Sequence, residues 1–126
     1  MKTIIVVDQN LERLNDFIPS GKCEAFPLSN SDMEFYTTSS AEYAVVLIKQ
    51  IPIHAAIVNE SIQSNNGAAA IKEIIDALLA KPDIKVIILL TQENPKFDMP
   101  SSVPIDYLNI RSTAREIREH LQRFIF

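Results

Sequence analysis

The sequence predicts an α/β domain built on a parallel sheet, and three observations carry that prediction. Near-continuous apolar runs in Thr3–Val7, in Ala55–Val58 with Ile53 just upstream, and in Val86–Leu90 have the composition of strands buried on both faces. Each run stops abruptly at polar residues: Asp8-Gln9-Asn10, Asn59-Glu60 and Thr91. Between the runs, apolar residues recur at helical spacing. Strands alternating with helices imply parallel pairing through right-handed crossovers.

After the first strand, Leu11, Leu14 and Phe17 or Ile18 share one helical face, and Pro19-Ser20-Gly21 ends that helix early. Gly21–Asp32 holds Pro27 and several Ser and Asn residues, which predicts loop. Met33–Thr38 is rich in aromatic and β-branched residues and predicts a short strand at the sheet edge. Ser39 followed by Glu42 is a capping-box signature, and Ala41, Ala44, Val45 and Ile48 make the apolar stripe behind it. Pro52 closes that helix. The Ala55–Val58 strand then leads through a polar loop, Ser61 to Gly67, into a helix striped by Ile71, Ile74, Ile75 and Leu78. Lys81-Pro82-Asp83 stops it. Beyond Val86–Leu90, Gln92–Val103 carries Pro95 and Pro100, with Pro104 next to it, which argues against a full helix. Ile105–Asn109 is the fifth strand. Thr113 with Glu116 is a second capping box, and Ala114, Ile117, Leu121 and Phe124 give the last helix its apolar face.

A chain of 126 residues predicts one domain, residues 1–126, with enough apolar content (47%) for a single core. The net charge of -4 gives no reason to expect nucleic acid or an anionic membrane as partner. Cys23 is the only cysteine, so no intrachain disulfide forms and a reducing cytoplasm is the expected setting. The apolar run Tyr43–Ile48 is too short to span a bilayer. Phe124-Ile125-Phe126 is apolar for a free end; it either docks on the body or a partner, or marks where a longer protein continues.

Taken in order, Asp8-Gln9, Asn59 with Gly67 eight positions on, Thr91, and Asp106-Tyr107-Leu108 resemble the receiver domain of bacterial two-component response regulators. The resemblance covers nearly the whole chain. It implies a three-layer, doubly wound, flavodoxin-like sheet of five parallel strands in the order 2-1-3-4-5. The fourth helix would be shortened or lost in the proline-bearing segment. In that family the first strand ends in two acidic residues, the third in the phosphoaccepting aspartate and the fourth in Ser or Thr. The fifth carries an aromatic residue, then a lysine followed by proline.

The departures fall on the chemistry. Phosphotransfer needs a carboxylate nucleophile, acidic ligands for Mg²⁺ and a cation for the phosphoryl oxygens. The acceptor position holds Asn59, and the second acid is Gln9. The lysine position is Ile110, followed by Arg111, and the proline four past the acceptor is Gln63. Asp8, Thr91 and Tyr107 remain, the last two at the positions of the family's switch. The expectation is a pseudo-receiver with no catalytic residue, no metal ligand set and no cofactor.

Two readings of the degenerate site stand side by side. Asp8, Gln9, Asn59 and Thr91 satisfy one another in a closed polar cluster, or they line a pocket for a small anion or ligand. Tyr107 is a packed strand aromatic or a switch. Arg111, Arg115 and Arg118 follow helical spacing, as a solvated face paired with Glu116 and Glu119 or as a partner surface together with Tyr107. In receivers the face from the fourth helix to the fifth helix serves output and dimerisation, so a protein partner or a homodimer is expected there. His54 and His120 have no partner at metal-ligand spacing and are expected at the surface. Three functions follow in descending order. The first is a non-phosphorylatable protein-protein interaction module in bacterial signalling. The second is a small-ligand or cofactor sensor on a flavodoxin-like scaffold. The third is a conventional phosphoacceptor using a non-standard residue.

Overall fold

Branched aliphatic residues on both faces of a strand can be buried only if helices cover both sides of the sheet. The computed structural model describes residues 2–10, 12, 33–63, 70–92 and 103–125. Within them run β1 (Lys2–Val7), β2 (Met33–Thr38), α1 (Ala41–Gln50), β3 (Ala55–Asn59), α2 (Ile71–Leu79), β4 (Val86–Thr91), β5 (Ile105–Asn109) and α3 (Ala114–Ile125). All strand pairings are parallel, and the order β2-β1-β3-β4-β5 is the flavodoxin-like arrangement expected. Several expectations lie outside the described residues: the helix carrying Leu11, Leu14 and Phe17, the loop at 21–32 with Cys23, Gly67, and the fate of a fourth helix at 93–102.

Strand alternation sorts the core into two sides. Ile5, Val7, Ala56, Val58, Ile87 and Leu89 face α1 and α2, where Ala44, Ile48, Ile74, Ile75 and Leu78 meet them. Ile4, Val6, Ala55, Ile57, Val86, Ile88 and Leu90 face α3 and its Ala114, Ile117 and Leu121. Each fully buried Ile or Leu contributes roughly 1.5–3 kcal/mol of transfer free energy. β4 is buried along its whole length, whereas β5 is half-buried, as an edge strand is.

Caps and clasps fix the element ends. α1 begins at Ser40, whose hydroxyl accepts from the Tyr43 N–H at 3.1 Å. The cap predicted at Ser39 is therefore one residue early. Thr38 Oγ1 accepts from the Ser40 N–H at 3.0 Å and holds Ser40 at the turn into the helix. At α3 the predicted box does form: Glu116 N donates to Thr113 Oγ1 at 3.2 Å, and Thr113 N donates to Glu116 Oε1 at 3.2 Å. His54 is not the surface residue expected. Its N–H donates to the Thr3 carbonyl at 2.8 Å, its Nδ1 accepts from the Thr3 N–H at 3.0 Å, and its carbonyl accepts from the Lys85 N–H at 2.7 Å. One residue thus binds the amino ends of β1 and β4.

On β2, Glu34 and Tyr36 stand two apart and share a face. The hydrogen bond to Glu34, helped by burial and by the Glu34 charge, raises the Tyr36 phenol above its ordinary value of 10.0. A raised folded-state value means that any stabilisation is present below the ordinary phenol range and is lost as pH rises through the folded value. Glu34→Gln is expected to lower the Tyr36 midpoint in a spectrophotometric titration, with Tyr36→Phe assigning the signal. An unchanged midpoint would remove Glu34 as the cause.

Candidate functional site

Parallel strands deliver their polar exits to one edge of the sheet. The β1–β3 register pairs Val7 with Val58, so the next residues, Asp8 and Asn59, emerge side by side. Both are buried, at 0% and 4% exposure. Asn59 Nδ2 donates to Asp8 Oδ1 at 2.9 Å, and Asn59 Oδ1 accepts from the Ser61 N–H at 2.8 Å. The Asn10 N–H also donates to Asp8 Oδ1, at 3.1 Å. Both ends of the Asn59 amide are engaged, which fixes which way it points. A buried carboxylate needs donors, and the carboxamide supplies one where a second carboxylate would set like charges against each other.

The other predicted site residues do not join this pair. Gln9 is exposed, and its Nε2 donates to the Ser61 carbonyl at 3.2 Å, bridging the loops after β1 and β3 from outside. Thr91 is buried, but the β3–β4 register sets Asn59 opposite Leu90, so alternation puts Thr91 on the other face of the sheet. There it shares a side with Tyr107, because Thr91 registers with Asn109, two residues beyond. Tyr107 is partly buried and packs against the core on the α2 side. Asp8 and Asn59 bond to each other, Gln9 bridges the loops outside them and Thr91 lies on the Tyr107 side of the sheet, so the four residues do not form the closed cluster that was one of the two readings.

Ile110 packs against the α3-side core, and its N–H donates to the Thr91 carbonyl at 2.6 Å. Beside it, Gln92, Asn109, Ile110 and Arg111 line a cleft of about 410 Å³. A second, of about 280 Å³, lies between Asn10, Glu12, Arg111, Ser112 and Thr113. The turn amides around them are already bonded. Arg111 N donates to Asn109 Oδ1 at 2.8 Å, and Ser112 N donates to the Asn109 carbonyl at 2.9 Å.

The arginine face needs correction. Arg111 sits in the turn before α3, not on the helix. Arg115 is exposed and pairs with Glu119 at 3.3 Å, a one-turn surface ion pair. Arg118 is 4% exposed, with its guanidinium carbon 4.6 Å from the centre of the Phe35 ring. It shares the inner face of α3 with Ala114, Ile117 and Leu121, which explains its burial: the aliphatic stem packs and the aromatic face takes the charge. Tyr107, Arg111, Arg115 and Arg118 therefore do not make one surface.

Sequence reasoning also missed a pair. His120 Nε2 and Asp106 Oδ2 are in direct contact, tying α3 to β5, while Asp106 Oδ1 accepts from the Tyr107 N–H at 2.9 Å. His120 is partly buried, not a surface residue as expected. The available signal was parity: Asp106 precedes Tyr107 and so faces the α3 side of the strand.

The chain matches no family model, no curated protein and no solved structure. What it offers chemically rests on its own geometry. Among the described residues, no group of three or more His, Cys, Asp or Glu is placed to hold a metal ion. Among the same residues, no helix is long and apolar enough to cross a membrane.

Proposed function

We propose that this chain is a receiver-like protein-protein interaction module of bacterial two-component-type signalling that takes no phosphoryl group and catalyses no reaction. One observation carries the reading: the residue at the end of the central strand β3 is a carboxamide whose nitrogen and oxygen are both spent inside the fold. An amide nitrogen has its lone pair delocalised and does not attack phosphorus, and no acyl phosphate can form on Asn59. Ile110 supplies no charge to a phosphoryl oxygen. The module then acts in the cytoplasm by presenting a surface to a protein partner, a second copy included. Its conformations are biased by that contact instead of by phosphate. The half-buried edge strand β5 and the exposed side of α3 with Arg115 supply the face for docking.

The test is incubation with acetyl phosphate and Mg²⁺ followed by intact mass. The expected result is no adduct; a stable gain of about 80 Da, one phosphoryl group, would overturn the reading and restore the phosphoacceptor alternative.

A second reading, a small-ligand sensor on the same scaffold, draws support from the two clefts that flank Arg111 at the carboxyl edge, where open α/β sheets bind ligands. An absorbance spectrum of the purified protein and a thermal-shift screen of nucleotides and small anions test it. A saturable rise in melting temperature that Arg111→Ala abolishes would favour the sensor; a flat screen would remove it.

A further inference from the structure

We draw no further inference here: the strongest candidate, the cleft at the carboxyl ends of β4 and β5 between Gln92, Asn109, Ile110 and Arg111, offers a ligand one exposed guanidinium beside turn amides already bonded within the fold and belongs to the site already described.

Discussion

Asn59→Asp is expected to cost about 2–3 kcal/mol of folding stability at neutral pH, although it exchanges only one nitrogen for one oxygen. The wild-type amide donates to Asp8 Oδ1 across 2.9 Å in a site where Asp8 is fully buried. The variant sets two carboxylates at that distance. Even with an effective dielectric near 20, two like unit charges this close repel by about 4 kcal/mol or more before the side chains shift. Two treatments should recover most of the loss. Mild acid lets one of the two carboxyls carry a proton, so the variant's deficit shrinks as pH falls. Millimolar Mg²⁺ bridges the pair, because hard divalent cations favour clustered carboxylate oxygens. Urea denaturation of both proteins at neutral and mildly acid pH, with and without Mg²⁺, reads all of this. A variant as stable as wild type and indifferent to Mg²⁺ would show that Asn59 is not placed to keep charge away from Asp8.

The arginines of α3 are expected to split sharply. Arg118→Glu should lose about 3 kcal/mol or more, since it removes a cation lying over the Phe35 ring and leaves a carboxylate in an apolar layer. Arg118→Met, which keeps the buried stem without the charge, should lose markedly less. Arg115→Glu should fall within about 0.5 kcal/mol of wild type, because its partner Glu119 is well exposed and such pairs contribute little. Thermal melts of the three variants give the comparison, and equal losses at 115 and 118 would contradict the burial of Arg118. The result also decides how docking is probed. Sedimentation of Arg115→Glu tests self-association on a folded protein, whereas an effect of Arg118→Glu on assembly would only report unfolding.

The strands were legible because burial on both faces leaves a compositional trace: Ala55–Val58 and Val86–Leu90 contain no polar residue. The closeness of Asp8 and Asn59 followed once β1 and β3 were taken as neighbours. What sequence could not supply was register. A single-residue offset between β3 and β4 sends Thr91 to the opposite face from Asn59, and nothing local to either strand encodes that offset. The cap moved from Ser39 to Ser40 for a local reason, the Thr38 hydroxyl holding the Ser40 N–H at the turn. Arg118 was misplaced because charge predicted solvent, while its long stem and a nearby ring made burial tolerable. His54 binds Thr3, fifty-one residues away in the chain, which periodicity does not see, and strand parity places Asp106 on the α3 side without naming His120 as its partner.

The place of β1 within the sheet bears on how the protein is made. β1 precedes both of its neighbours, β2 and β3, in the chain, and its pairing of Ile4 with Ala55 closes a loop of about fifty residues. The nascent chain must therefore carry an incomplete, strongly apolar strand until its second neighbour is synthesised. Sheets joined at such separations form more slowly than helical bundles of equal size, and chaperone dependence during synthesis is where this architecture would show it.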